Sequence, residues 1–522
     1  MGYRVVIPTA GIGSRLEGLT KYINKSLVGI ANRPTISHLI ELFPIDCEFV
    51  IALGHKGELV RDFLELVYPN RVFHFAEVYP YEGEGSGLGL SLLACEQYLQ
   101  QPFVFLSCDA LVREKIPEPN HNWMGFSKKS NLSQYRTLNI IDNFVSEICE
   151  KGIIRENLKV YIGLAGIYNY DEFWDAMNHG NNLAVNQGES HGMKALIENN
   201  TISAYEFTWF DTGNIESLEV ARKAYFQPNQ PNILEKENEA IWFVKDNVIK
   251  YSNDTSFIVN RVKRAKELRG YVPDIYAERS NMYCYKKIEG EILSDVANKF
   301  IFESFLKKCN NFWLMKELST QKSQQFQNNC LKFYKDKTHE RIQLFYRNFS
   351  KSDDVKIING EKMPSLESLL AKIDWDWMSK GLAGRFHGDF HFENILYSKD
   401  ENKFTFLDWR QDFAGDLSIG DIYYDLAKLM HGLIVNHGTI VNNQFSASWI
   451  DGEIRYDLKR KQNLVDCEER FCEWIKENEY DIKKVKVLTS LIYLNIAALH
   501  HYPYSLLLYG LGKSMLNSEL NA

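Results

Sequence analysis

No CxxC pair occurs among the nine cysteines of this 522-residue chain, and their odd number leaves no complete disulfide framework. A reducing compartment and no structural zinc are expected. Lys and Arg form no run, and a formal net charge of -8 removes the positive footprint on which polynucleotide binding rests. No apolar stretch reaches the roughly 18 residues of a membrane span. The nearest, Val487 to Leu499, is interrupted by Thr489, Ser490 and Asn495. The opening residues, MGYRVVIPTAGIGSRL, run at once into a strand and a glycine loop, with no basic and apolar leader. A soluble, cytoplasmic protein without nucleic-acid or membrane partners is the expectation.

What is present is ordinary globular composition, 45% hydrophobic and 25% charged, in a chain too long for one core. Residues 3–8 and Cys47 to Leu53 read as buried strands around a helical stretch from Thr35 to Leu42. A second helical stretch, Leu88 to Leu99, precedes an apolar strand, Phe103 to Ser107, which ends at Cys108-Asp109. This βαβ rhythm predicts an α/β domain with a mostly parallel sheet. FQPNQP, from Phe226 to Pro231, follows a helical stretch and reads as a linker, so a boundary is expected near residue 230. Beyond it, Asp246-Asn247 between two apolar runs predicts a hairpin, and helical spacing dominates after Val296, which predicts an α+β second domain. The expected domains are 1–230 and 238–522.

The loop Pro8-Thr9-Ala10-Gly11-Ile12-Gly13-Ser14-Arg15 directly after the first strand lets backbone N–H groups approach phosphate oxygens, with Arg15 as a charged clamp. A dinucleotide fingerprint wants a third glycine where Leu16 stands. Lys25 follows within Asn24-Lys25-Ser26-Leu27, then Arg33-Pro34, Gly85-Ser86-Gly87-Leu88, Asp109, Glu150-Lys151 and Trp209-Phe210-Asp211-Thr212-Gly213. In this order the first half resembles the sugar-nucleotide pyrophosphorylases, with Asn24 where that family commonly has proline. The resemblance implies a Rossmann-like, GT-A-type fold. It implies nucleotide contacts from Ala10, Gly11, Gly13, Ser14, Gly85, Ser86 and Gly87, catalytic charge from Arg15 and Lys25, and a substrate-phosphate contact from Lys151. It further implies Mg²⁺ on Asp109 and Asp211. Expulsion of pyrophosphate from a nucleoside triphosphate requires such cations along the line of displacement, and an attacking phosphate needs no general base.

In the second half, His387-Gly388-Asp389 with Asn394, then a strand ending in Asp408, resembles the loop of aminoglycoside phosphotransferases and choline kinases. The resemblance implies a protein-kinase-like fold, Asp389 as the acceptor of the substrate hydroxyl proton, Asn394 and Asp408 on Mg²⁺, and His387 as scaffold. Lys250 is the counterpart of the ATP-binding lysine, although Trp242 to Lys250 contains no glycine. Together the resemblances imply a bifunctional transferase: a kinase makes a phosphate monoester with ATP, and a nucleotidyltransferase activates it, with CTP favoured, for capsule or other cell-surface polysaccharide. The glycine-rich segment at Gly85 sides with a sugar or polyol phosphate. An amino alcohol such as choline is the alternative, and a non-catalytic kinase-like binding module the other.

Overall fold

Val5, Val6 and Ile7 are all fully buried in the computed structural model, which describes residues 2–128, 132–227 and 236–522. Val5 and Ile7 enter one hydrophobic core and Val6 another, so their strand, β1 (Arg4–Pro8), is covered on both faces. β2 (Glu48–Leu53), β3 (Phe73–Glu77) and β4 (Phe103–Leu106) join it in parallel in the order β3-β2-β1-β4. The glycine loop leaves the carboxyl end of β1, between strands that run to either side, where open α/β sheets bind ligands.

The chain then makes a short strand, β5 (Ala110–Val112), followed by β6 (Trp123–Ser127), β7 (Thr137–Ile141), β8 (Phe144–Cys149), β9 (Lys159–Ile167) and β10 (Ser203–Glu206). These continue the sheet as β9-β6-β10-β8-β7, with β9 antiparallel to both β4 and β6. The expected mostly parallel sheet is therefore parallel in its first part and mixed beyond. No helix intervenes between β4 and β9 among the described residues, and short connections favour antiparallel pairing. A last strand, β11 (Trp209–Asp211), pairs with β5 alone, and the expected helix follows over Ile215–Tyr225.

The chain divides into two units, Met1–Thr255 with Tyr276–Lys287, and Ser256–Ile275 with Ile288–Ala522. This differs from a boundary near residue 230, and much of the expected linker lies outside the described residues. The strands Glu239–Val244, Asn247–Ser252 and Met282–Lys286 go with the first unit because Trp242, Val244, Ile249, Tyr251, Met282 and Cys284 belong to its core. Trp242 packs edge-on against Phe63 at 5.3 Å, and Phe243 N donates to Asn32 O at 2.8 Å. The hairpin turn is Lys245-Asp246, one residue earlier than expected, with Lys245 at positive φ.

The second unit is chiefly helical, and the helix Ile422–Ile434 is buried along nearly its whole length. Its strands Ile395–Ser398 and Lys403–Phe406 form the hairpin that follows the His387 loop. A further hairpin, Phe445–Ile450 with Glu453–Leu458, turns at Asp451-Gly452, both at positive φ. That Asp-Gly pair is a type I′ signal readable in the sequence.

If the hairpin completes the first core, Trp242→Ala in the full chain should cost about 3–5 kcal/mol in chemical denaturation of the first unit, as loss of a buried aromatic does. A loss below about 1 kcal/mol would mark the hairpin as a mere appendage.

Candidate active sites

In the first unit, Asn24 is fully buried. Its amide donates to Thr9 O at 2.9 Å and His55 O at 2.6 Å, and its carbonyl accepts from Ser26 N at 2.9 Å and Ser26 Oγ at 2.8 Å. The residue in the proline's place thus ties the glycine loop to the turn Lys25–Leu27 and caps it. Lys25 Nζ is thereby held 3.5 Å from Asp109 Oδ2.

Asp109 and Asp211 are brought together by the ribbon β5–β11, in which Asp211 pairs with Ala110. Thr212 N donates to Asp109 O at 3.0 Å, Ser107 Oγ to Asp109 Oδ1 at 2.5 Å, and Tyr135 OH to Asp211 Oδ2 at 2.9 Å. Burial pushes the Asp109 carboxyl up, but Lys25, the Ser107 hydroxyl and Arg15 outweigh it and hold it below the ordinary carboxylate range. A methyl on Gly213 would lie 3.0 Å from Arg15 Nη2 and 3.1 Å from both Asp109 Oδ2 and Asp211 Oδ1. Glycine there keeps open the space on which these three groups converge.

That space belongs to a cavity of about 390 Å³ lined by Ala10, Gly11, Arg15, Lys25, Ser86, Gly87, Asp109, Lys151 and Asp211. Gly13, Ser14 and Gly85 do not line it. Gly13, at φ 69, turns the loop, with Lys25 Cβ 2.9 Å from where its own Cβ would stand. Gly87 has a packing reason as well: a methyl there would come within 2.4 Å of Val185 O. Ser107, Tyr135, Arg136, Tyr161 and Glu189 also line the cavity and were missed. Only Ser107, two residues before Asp109 at a strand end, carried a local signal. Glu189 and Tyr161 are buried side by side and interact with each other. Burial lifts the Glu189 carboxyl to about 7, against a pull downward from Arg136.

In the second unit, the fully buried Asp425 accepts His387 N at 2.6 Å, Gly388 N at 2.7 Å and Trp313 Nε1 at 3.1 Å. Burial raises its pKa to about 6 despite these bonds. Arg264, also buried, donates to the carbonyls of Phe386, His387, Arg410 and Leu417. Burial lowers its pKa to about 9. The loop backbone is thus clamped from two sides. His387 is scaffold: its Nε2 lies 2.8 Å from Leu407 O and its Nδ1 accepts Asp389 N, while burial lowers its pKa to about 3.

Asp389 Oδ1 lies 2.8 Å from Lys428 Nζ, and Asn394 Nδ2 donates to Asp389 Oδ2 at 3.3 Å. Burial opposes its charge, yet Lys428 and His391 hold its pKa well below the carboxylate range. Leu407 N donates to Asn394 O at 2.7 Å, which sets Asp408 beside the loop. Asp408 is paired with Arg261 at 3.2 Å and sits at φ 55, a backbone strain of the kind retained at functional sites. Lys250 is buried on the strand Asn247–Ser252 of the first unit.

The model of the phosphotransferase enzyme family matches residues 336–463. The N-terminal region resembles the bifunctional protein GlmU of Methanococcus vannielii, 26% identical over 240 residues, 44% of this chain and 56% of the relative. The chain thus spans about half the length of the curated relatives it matches. Among solved structures, the CTP:phosphocholine cytidylyltransferase LicC of Streptococcus pneumoniae superposes with a TM-score of 0.36 at 14% identity, covering 43% of this chain and 99% of that one. The inositol-1-phosphate CTP transferase of T. maritima gives 0.36 at 14%, covering 44% and 98%. No described helix is long and apolar enough to cross a membrane.

Two outcomes follow from these contacts. Asn24→Ala removes the donor to the buried Thr9 carbonyl and the partly buried His55 carbonyl and should cost about 1–3 kcal/mol in denaturant unfolding. Near-wild-type stability would remove Asn24 as the tie. His391, between Asp389 and Glu393, has its pKa raised from 6.5 to about 9, since these carboxylates outweigh the burial that opposes its charge. A histidine charged in the fold and neutral when unfolded adds stability that is complete below pH 6.5 and fades as the pH rises through about 9. The drop in unfolding free energy between pH 6.5 and 9.5 should therefore shrink in His391→Gln, and an unchanged drop would contradict the assignment.

Proposed function

We propose that the chain is a bifunctional transferase, with a nucleotidyltransferase in the first unit and a small-molecule kinase in the second. The observation that carries the first reading is the convergence of Arg15, Lys25, Asp109 and Asp211 on one cavity with Lys151 at its edge. An incoming phosphate monoester held by Lys151 attacks the α-phosphorus of a nucleoside triphosphate, its oxygen forming the new bond as pyrophosphate leaves. Lys25 and Arg15 oppose the negative charge that develops on the way. CTP is the favoured nucleotide and a sugar or polyol phosphate the favoured acceptor, with the product entering cell-surface polysaccharide.

In the second unit Asp389, kept ionised by Lys428, orients the acceptor hydroxyl and receives its proton. Asp109 and Asp211 would hold Mg²⁺ in the first site, and Asn394 and Asp408 in the second, where the ion neutralises phosphate charge. Asp109 and Asp211 form no group with a third such ligand among the described residues, which suits an ion that completes its shell with phosphate oxygens and water. A kinase yields the phosphate monoester that a nucleotidyltransferase consumes, which is the reason to read the two as successive steps.

Pyrophosphate release from CTP, dTTP, UTP and GTP with a set of sugar, polyol and amino-alcohol phosphates tests the first site. Lys25→Ala and Asp109→Ala should each lower it by about 10² or more, and folded variants with normal turnover would end the assignment. Asp389→Asn should spare MgATP binding while abolishing most ADP release. Loss of both together, or of neither, would remove Asp389 as the base.

A further inference from the structure

Around Asp389 the second unit gathers positive charge that the roles above leave unused. Lys337 and Arg341 stand four residues apart, on one face of the helix Lys337–Phe349. Arg410 arrives from the segment after Asp408, its N donating to His387 O at 2.8 Å and its Cβ lying 2.6 Å from where a Cβ on Gly388 would stand. The Lys337 ammonium and the Arg410 guanidinium share one ring, lying 4.3 and 4.8 Å from the Phe333 centroid. Through Arg410 the cluster therefore abuts the loop that carries Asp389, with Lys337 beside it and Arg341 one turn further along the helix.

Its charge is not balanced from within. Among the described residues no carboxylate pairs with Lys337, Arg341 or Arg410, and Arg410 Nε is buried without a hydrogen-bond partner. The nearby carboxylate, Asp389, is already taken by Lys428 at 2.8 Å, with His391 Nε2 3.6 Å from its other oxygen. Burial, with Arg410, Lys428 and Arg341 close by, drives the Lys337 pKa down to about 7. Both nitrogens of His431, whose ring lies 6.3 Å from that of His391, are also buried without a partner. Such a grouping is costly unless a ligand brings negative charge, and it would repel a cationic acceptor.

We propose that the alcohol phosphorylated in the second unit carries an acidic group, a carboxylate or a phosphate, held by Lys337, Arg341 and Arg410 while its hydroxyl faces Asp389. The inference rests on the kinase reading. The hydroxyl oxygen bonds to the γ-phosphorus of ATP as the bond to the β,γ-bridging oxygen breaks, ADP leaves, and the hydroxyl proton passes to Asp389. An acidic acceptor excludes choline and other amino alcohols without a negative group.

The test uses the full chain. Calorimetry with MgATP first establishes nucleotide binding, and ADP release is then followed with glycerate, glycerol 3-phosphate and further hydroxy acids and polyol phosphates, against glycerol and choline. Acidic acceptors should turn over at least about tenfold faster than neutral or cationic ones, and the comparison of carboxylates with phosphates identifies the group. Lys337→Ala and Arg341→Ala should each raise the acceptor KM by about 10-fold to 100-fold, the loss of one charged hydrogen bond, with the ATP KM unchanged and Lys337→Arg restoring much of the loss. MgATP binding with no turnover of any acidic acceptor overturns the inference and leaves the kinase reading standing. A rise in the ATP KM instead of the acceptor KM overturns it too, by giving the cluster to the nucleotide. Absence of MgATP binding removes the kinase reading and the inference with it.

Discussion

Each candidate site rests on a loop whose backbone groups are cut off from water, and a buried side chain must satisfy them. In the second unit that side chain is Asp425, which accepts the N–H groups of His387 and Gly388 from within the helix Ile422–Ile434. In the first it is Asn24, which holds the carbonyls of Thr9 and His55. An unsatisfied buried group costs more than the net gain of a made hydrogen bond, so these contacts act mainly by excluding other loop conformations. The reacting side chains, Lys25 and Asp389, inherit their positions from them.

In both sites a carboxylate faces a lysine, Asp109 with Lys25 and Asp389 with Lys428. Such partly exposed pairs add little net stability, because solvent screening and desolvation offset much of the attraction. Their effect is on ionisation: each carboxyl is held below its ordinary range against the opposing force of burial. Both carboxylates thus stay charged at neutral pH, as a group that receives a proton or a cation requires.

The two sites differ in what surrounds that pair. The first mixes signs, with Asp211 and Glu189 set against Arg15, Arg136 and Lys151 around one cavity. The second pairs Asp389 with Lys428, and Lys337 and Arg410 share the ring of Phe333 close by. That asymmetry bears on the choice of substrate more than on the chemistry, since phosphoryl and nucleotidyl transfer need similar charge at the reacting phosphorus.

The sequence by itself determined the elements and residues whose meaning is local. The strand into the glycine loop and the spacing of His387, Asp389, Asn394 and Asp408 are legible because each is a short pattern, and Lys25, Asp109, Lys151 and Asp211 are legible each within its own short motif. The helix Ile215–Tyr225 and the Asp451-Gly452 turn are local in the same way. Tertiary structure alone decided the rest. Pairing of β5 with β11 joins residues about a hundred positions apart, and only that pairing sets Asp109 against Asp211 and makes Gly213 the open point between them. Trp242 goes with the first unit because Phe63 and its neighbours bury it, which no composition shift near residue 230 can signal. Lys337 and Arg410, more than seventy positions apart, share the ring of Phe333, so the charge around Asp389 exists only in the fold. Hydrophobic period and motif spacing act over a few residues, whereas burial and electrostatics depend on which distant segments share one low-dielectric space.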